Sequence, residues 1–451
     1  MDPATIGYIA SAIVILLLAI RIPIAYAIGG VAVVAIFIVF ATRTGTFMPE
    51  RALWTTLSLA FSSSFDLVHS YDLSMIPLFI ALGHVAYKAG ITTEIYEAAR
   101  VWLVRLPGGV AIASVAGCGG FSAISGSSIA CASTMGRICT PEMLKLNYDP
   151  RLATASVAAG GTLGSLIPPS VLFIIYGIFT ESSISELFMA GFLPGVLSML
   201  GYALVIVLWI RRSPEIAPVP DKTFSMKEKV QAAIRSWPAV FLFTVVIGGI
   251  YGGVFTATEA AALSLLFVVL LGFMRGFIKL NDIIPMLRDT MLRDTMVTTG
   301  AIFFIAACAK IFVSLIALTG LSNSLVSALG DANIGPWMFI ALVCVIYLVL
   351  GMFLDPVGIM VLTLPLMIPM VESYDMNLIW FGVVIVKLLE IGLITPPVGL
   401  NVFVLASVLE EKVEIGQIFA GLWRFLAIDI VVLALLVMIP AISLILPMSM
   451  N

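Results

Sequence analysis

The tightest constraint on this chain is a pair of proline-broken apolar stretches at matching places in its two halves, Gly161-Thr-Leu-Gly-Ser-Leu-Ile-Pro-Pro-Ser170 and Gly392-Leu-Ile-Thr-Pro-Pro-Val-Gly399. Each proline lacks a backbone donor and clashes with the preceding turn, so a helix crossing this sequence loses hydrogen bonds. Hydrocarbon offers no water to replace them, which confines such a break to a cavity lining or an ion-binding surface. Breaks of this kind near the bilayer midplane are where transporters hold substrate.

That the surroundings are hydrocarbon follows from composition. Hydrophobic residues make up 61% of the 451 residues, charged residues 11%, and the mean hydropathy is +1.15, whereas a soluble domain is roughly half apolar and a quarter charged. At about 20 residues per spanning helix, the chain has room for a dozen or more membrane segments and none for a large soluble domain. A net charge of -3 and the lack of a long basic block exclude a nucleic-acid partner. The five cysteines, Cys118, Cys131, Cys139, Cys308 and Cys344, show no paired spacing with histidine, and all but Cys139 lie in apolar runs as small hydrophobes. The start, Met1-Asp-Pro-Ala and an apolar run to Ile20, lacks the basic opening and cleavage site of a signal peptide, so residues 5–22 read as a retained helix. No Walker sequence, Gly-x-Ser-x-Gly elbow or His-Glu-x-x-His motif occurs. This disfavours a membrane enzyme and leaves gradient-driven transport as the leading class.

Apolar runs recur at about 5–22, 24–41, 52–68, 74–90, 108–135, 150–180, 187–210, 237–252, 257–274, 296–320, 336–371, 378–410 and 415–447. Several exceed one span and carry Gly and Pro clusters, so they read as hairpins or helices broken inside the membrane. The most polar loop, with Arg211, Arg212, Lys222, Lys227, Lys229 and Arg235, is cytoplasmic by the positive-inside rule. Arg275, Lys279, Arg288 and Arg293 follow after two further spans and fall on the same side. Between Thr92 and Arg105 the pattern Glu94, Glu97, Arg100, Arg105 against Ile95, Tyr96, Ala99, Trp102, Leu103 fits an amphipathic surface helix, with a solvated loop as the alternative.

Sliding the chain on itself exposes a repeat. Pro168-Pro169 meets Pro396-Pro397 at a shift of 228 residues. Near that shift Phe79-Ile80-Ala81 meets Phe304-Ile305-Ala306, and Gly90-Ile91-Thr92 meets Gly320-Leu321-Ser322. Ser125-Gly-Ser-Ser128 lands on Phe353-Leu-Asp-Pro356, so each half carries a polar break ahead of its Pro-Pro break. With the basic loop as the boundary and an odd number of spans between equivalent points, the repeats are inverted. The expected division is a first repeat over 1–210, a cytoplasmic linker over 211–236 and a second repeat over 237–451.

The chemistry of the breaks follows from their residue types. Ser122-Ala-Ile-Ser-Gly-Ser-Ser128 packs hydroxyls and a glycine among small neighbours, so backbones and ligands approach closely. Hydroxyls and half-helix N-termini donate to an anion, while the freed carbonyls of Gly164 to Pro169 offer hard oxygens to a small cation. Asp355 lies amid apolar sequence, where an ionisable group is a functional candidate by default. It is placed either to meet a cation or polar substrate group or to cap the helix that starts at Pro356, and both roles can coexist. Thr395 and Asn401 put a hydroxyl and an amide beside the second break. Lys387 and Glu390, three residues apart, read as an intramembrane pair, and Lys310 as structural or snorkelling. His69 and His84 sit far from any cysteine or carboxylate cluster, which argues against a ligand role.

Ser125-Gly-Ser-Ser128, Gly160-Gly-Thr-Leu-Gly-Ser-Leu-Ile-Pro-Pro-Ser170, Thr258-Glu-Ala-Ala-Ala262, Gly351-Met-Phe-Leu-Asp-Pro356 and Leu393-Ile-Thr-Pro-Pro-Val-Gly399, in this order, resemble the large membrane subunit of a tripartite ATP-independent periplasmic (TRAP) transporter. The resemblance spans nearly the whole chain. It implies an all-α integral membrane protein with an inverted-repeat, elevator-type fold, two helical hairpins and broken helices, similar to the ion transporter superfamily. It implies sodium-driven uptake of an organic anion, such as a dicarboxylate or sialic acid, across the inner membrane. The implied partners are a periplasmic substrate-binding protein and a small four-helix membrane subunit, expected here as a separate chain. Sodium ions are the coupling ions and no cofactor is implied. By motif, one sodium site would use Ser125, Ser128 and carbonyls around Gly164, Ile167 and Pro169. A second would use Gly358, Gly392, Thr395 and Val398, with substrate between Ser127 and Asp355. One departure stands out: after Ile76-Pro-Leu-Phe-Ile-Ala-Leu-Gly83 the family usually has an acidic or amide residue, and this chain has His84. A stand-alone sodium/anion symporter without a binding protein is the alternative within transport, and a membrane-embedded enzyme or scaffold the alternative outside it.

Overall fold

Each apolar run becomes helix in the computed structural model, which describes residues 2–42, 48–218, 224–278, 293, 295–409 and 413–450. Among these residues there is no β-strand. Among the described residues six helices are long and apolar enough to cross a membrane, and up to eight if each of two bent helix pairs counts as one span. Large apolar side chains face outward on them, among them Trp54, Phe61, Met274 and Trp423, as expected where the solvent is lipid rather than water. The chain is a multi-pass membrane protein. Lys222, Lys279 and Arg288 lie outside the described residues.

The overlong runs break where Gly and Pro cluster. Run 108–135 becomes a hairpin of Gly109–Ser125 and Ser128–Lys145, and run 150–180 becomes Pro150–Gly161, a 3₁₀ turn Thr162–Ser165 and Val171–Thr180. Run 336–371 divides into Pro336–Gly351 and Pro356–Ser373, and run 378–410 into Leu378–Ile394 and Leu400–Val408. Run 415–447 is split into Ile415–Met438 and Ala441–Met448, because Pro440 cannot continue the helix hydrogen bonding.

Local capping recurs at the offset read from the sequence. Asp149 caps the first broken helix, its Oδ1 accepting the Arg151 N–H at 2.8 Å, and Asn377 caps the second, accepting from Ile379 N at 2.9 Å. Gly90 and Gly320 both hold left-handed backbone, φ 75° and 65°, immediately before short helices Ile91–Leu103 and Leu321–Asp331, a conformation only glycine adopts without strain.

Ile91–Leu103 is helical, which settles the open choice at 92–105 against a loop. Its buried Tyr96 packs near Gly117 of the first hairpin, and Arg100 reaches Glu97 at 2.7 Å and Glu142 at 2.5 Å. Helix Met226–Arg235 of the basic loop lies against it, with Trp102 Nε1 donating to the Lys229 carbonyl at 3.1 Å.

The halves are interleaved. Val171–Thr180 packs on Pro356–Ser373, and Leu400–Val408 packs on Ser128–Lys145, so each broken helix lays its second part against the other half's hairpin. Tyr176 clasps the crossing, its hydroxyl donating to the Leu378 carbonyl at 2.6 Å. Away from the breaks, a cavity of about 1030 Å³ opens between the end of Pro49–Val68, the 180–185 loop, Thr256–Thr258 and helix Thr295–Thr319, lined by Asp66, Asp72, Glu181, Lys310 and several hydroxyls. Lys310 therefore borders this polar space.

Candidate functional site

The tip of the first hairpin is built around Gly126. Its φ of 64° turns the chain between the two arms, and a side chain there would sit 2.7 Å from the Pro169 carbonyl oxygen. The Gly126 carbonyl accepts the Val171 N–H at 3.1 Å, so the tip is stitched to the far end of the Pro-Pro break. From the other side, a Cβ on Gly164 would meet Ser128 N at 2.6 Å and Ser127 O at 2.7 Å. Two glycines thus let two backbones touch. Every residue from Gly161 to Ser170 is buried.

This contact gathers Ser125, Ser128, Gly164 and Pro169, with Ile167 in the same buried turn. Ser125 Oγ is buried with no hydrogen-bond partner, an arrangement that is costly unless a ligand or water uses the atom. Ser128 Oγ lies 2.9 Å from Ser165 Oγ and 2.7 and 2.8 Å from the two Glu390 carboxylate oxygens. Helix Met75–Lys88 closes the floor, with Gly83 against Ser125. His84 lies half-buried on the same helix.

Lys387 and Glu390 do not pair with each other, contrary to the sequence expectation. Lys387 Nζ bonds Asp429 Oδ1 at 2.5 Å and Ser198 Oγ at 3.1 Å, while Glu390 turns to Ser128. The reason is rotational. Helix Leu378–Ile394 is buried on all sides, and its two charged groups meet different neighbours, Ile184–Arg212 with Ile415–Met438 for one and the first hairpin for the other. Tyr202 extends the Lys387 cluster, donating to Asp429 at 2.7 Å and lying 2.8 Å from Thr162 Oγ1 at the start of the break.

Asp429, Tyr202, Ser165 and Ser198 were not singled out from sequence. Asp429 carried a usable signal: a lone carboxylate in the apolar stretch Phe425–Leu436 is as anomalous as Asp355. The hydroxyls carried none.

Ser127 and Asp355 occupy equivalent places. Each caps the second arm of its hairpin, with Ser127 Oγ accepting from Ala130 N at 3.4 Å and Asp355 Oδ2 from Gly358 N at 2.9 Å. The capping role foreseen for Asp355 is present, and both residues are only half-buried. At the second break, Gly351 and Gly392 touch backbone to backbone, a Cβ on Gly392 falling 2.7 Å from Gly351 Cα. Thr395 bonds back to the Ile391 carbonyl at 2.6 Å. Thr395 and Val398 are half-buried and Pro397 is exposed. Asn401 is buried with neither amide atom bonded. Gly358 lies on the second hairpin against Ile24.

Known proteins share this arrangement of sequence and fold. The family described as "Tripartite ATP-independent periplasmic transporter, DctM component" matches residues 11–442. The C4-dicarboxylate TRAP transporter large permease protein DctM of Pseudomonas aeruginosa is 32% identical over 384 residues, 85% of this chain and 88% of that protein. The sialic acid TRAP transporter large permease protein SiaM of Vibrio cholerae is 27% identical over 400 residues, 87% of this chain and 90% of that protein. The crystal structure of the Alcanivorax borkumensis YdaH transporter superposes with a TM-score of 0.57 over 86% of this chain and 89% of that one, at 15% identity, a likeness of fold alone.

Proposed function

Because this chain belongs to the family of DctM components of tripartite ATP-independent periplasmic transporters, we propose that it takes up an organic anion across the inner membrane, driven by a sodium gradient. Its partners in this reading are a periplasmic substrate-binding protein and a small four-helix membrane subunit. The substrate class is a carboxylate such as a dicarboxylate or sialic acid, a reading supported by the C4-dicarboxylate and sialic acid transporters among its relatives.

The observation that carries the sodium reading is the first tip: an unpartnered, buried Ser125 hydroxyl and Ser128 beside carbonyl-bearing backbone that two glycines hold together. Hydroxyl and carbonyl oxygens suit a small hard cation. In this reading Ser125, Ser128, Gly164, Ile167 and Pro169 hold one sodium ion, and Gly358, Gly392, Thr395 and Val398 a second. Ser127 and Asp355, half-buried at the two tips, face substrate. Sodium orders the tips, ordered tips bind the anion, and the coupling is reciprocal. The two hairpins and broken helices form an inverted-repeat transport domain that moves as an elevator against the outer helices.

The test is uptake into proteoliposomes holding both membrane subunits, with the binding protein outside. Sodium-dependent accumulation is expected; full-rate transport without sodium would refute the coupling. Uptake that needs no binding protein would replace the tripartite reading with a stand-alone symporter. Asp355→Ala is expected to abolish uptake while the protein still inserts, and wild-type uptake would remove Asp355 from the site.

A further inference from the structure

Two rulers built into the fold measure how far the hairpin tips stand from Lys310. The first is the inner helix Val171–Thr180. Its start is bonded to the first tip, Val171 N donating to the Gly126 carbonyl, and Glu181 just past its end borders the cavity of about 1030 Å³. At 1.5 Å per residue this helix holds the tip about 15 Å from the cavity floor.

The second ruler is the outer helix Thr295–Thr319, on which Lys310 borders the same cavity. Phe304 packs edge-on against Tyr26 and Cys308 beds against Gly29, so Ile24–Thr42 runs alongside in the same direction. In that register Ile24 stands level with Ile302. A side chain on Gly358 would meet Ile24, which puts the second tip about 12 Å short of Lys310 along the helix. The two lengths agree: raising the inner bundle by about 12–15 Å brings Ser127 and Asp355 to the height of Lys310.

Lys310 has chemistry to offer there. Asp66, Asp72 and Glu181 border the same cavity, yet among the described residues none forms an ion pair with it. It stands about 13 Å in from the Thr319 end of its helix, and an ammonium unpaired at that depth marks a polar pathway. Helix Ile184–Arg212 runs from this cavity to Arg211 and Arg212, the cytoplasmic end by charge, so the cavity opens on the side from which uptake begins. Asp66 and Asp72 sit on outer elements and stay with Lys310, whereas Glu181 belongs to the inner bundle and leaves with it. A bare anion is repelled by such a wall, but one that arrives on tips holding sodium brings compensating charge.

We propose that Lys310 is an anion-binding residue on the outer wall, which contacts the substrate carboxylate when the inner bundle is raised. The proposal rests on the uptake and elevator readings above. The lysine helps load the tips and stays behind as they descend, so it adds affinity on the side where substrate is taken and none where it is released.

The experiment follows uptake of radiolabelled succinate and of radiolabelled sialic acid by the complete transporter in proteoliposomes. Lys310→Met keeps the apolar stem and removes the charge. The concentration of loaded binding protein for half-maximal uptake is expected to rise about tenfold or more, the range for a lost hydrogen bond to a charged group, with Lys310→Arg close to wild type. Lys310→Cys should match Lys310→Met and recover when aminoethyl methanethiosulfonate restores an ammonium there, but not with the neutral methyl reagent. In detergent, with sodium and no binding protein, the rise in melting temperature given by the transported anion is expected to shrink in Lys310→Met, which separates anion binding from docking of the binding protein. A lower maximal rate with unchanged half-saturation, in Lys310→Met or in Lys310→Cys should the first not insert, is a structural role and overturns the proposal. Wild-type behaviour of the variants overturns it too. Should the wild type accumulate neither anion, the uptake reading itself fails, whatever Lys310 does.

Discussion

The two Pro-Pro breaks descend from matching sequence yet are finished differently. The first is buried from end to end, stitched to its hairpin tip, and backed by a carboxylate from the other half. The second leaves Pro397 exposed, bonds Thr395 only to its own helix, and surrounds Asn401 with no partner. What the two keep in common is the glycine contact, Gly164 on the first tip and Gly392 on the second. Close backbone approach is thus the shared requirement, while charge and burial are added to one copy.

The contrast is most sharply tested at the hydroxyls. Ser128→Ala is expected to lower uptake at limiting sodium about tenfold or more, because it removes an oxygen and frees Glu390; Thr395→Val, at the looser break, should cost only a few-fold. Equal losses would mean the breaks are functionally alike. Next in size are the glycines. Gly164→Ala and Gly392→Ala each put a methyl within 2.7 Å of backbone, and overpacking of this kind costs about 1–3 kcal/mol, visible as a drop in the melting temperature of the purified protein. A silent Gly392→Ala would show that the second tip yields where the first cannot.

Asn401→Leu separates a working amide from a strained one. Replacing a buried, unbonded polar group with an apolar one of similar size is expected to leave stability unchanged or raise it by about 1 kcal/mol. If the amide serves a ligand, uptake falls in the same variant. The smallest effect concerns the caps. The Arg151 guanidinium beside Asp149 holds its carboxyl below the usual carboxylate range, whereas the matching Asn377 does not titrate. The Asp149 contribution is full above the unfolded value near pH 4 and is lost as pH falls through the lowered folded value. For an exposed pair it stays below about 1 kcal/mol. Asp149→Asn should flatten the acid side of the melting curve slightly, and Asn377→Asp should steepen it.

The breaks were readable because Gly and Pro interrupt apolar runs at a fixed offset, and lipid leaves such interruptions few permitted uses. The cap at Asp355 was readable because Asp before Pro is a helix-start signal, whereas the cap at Ser127 emerged only from the fold. Lys387 was misassigned because spacing along one helix names the nearest partner in sequence, while burial on all sides lets tertiary neighbours win; Asp429 lies 42 residues away. Ser165 and Tyr202 were invisible, since a hydroxyl in an apolar run is ordinary until the fold shows what it faces.

The cavity between helix Thr295–Thr319 and the 180–185 loop has a mechanical consequence. Its lining of carboxylates, hydroxyls and one ammonium invites water to fill it. A wet seam slides more readily than a greasy one, because no interlocked side chains must be prised apart before motion starts. In the elevator reading proposed above, the outer helices are lubricated against the inner bundle along this flank, while two of the outer helices are locked to each other where Cys308 beds against Gly29.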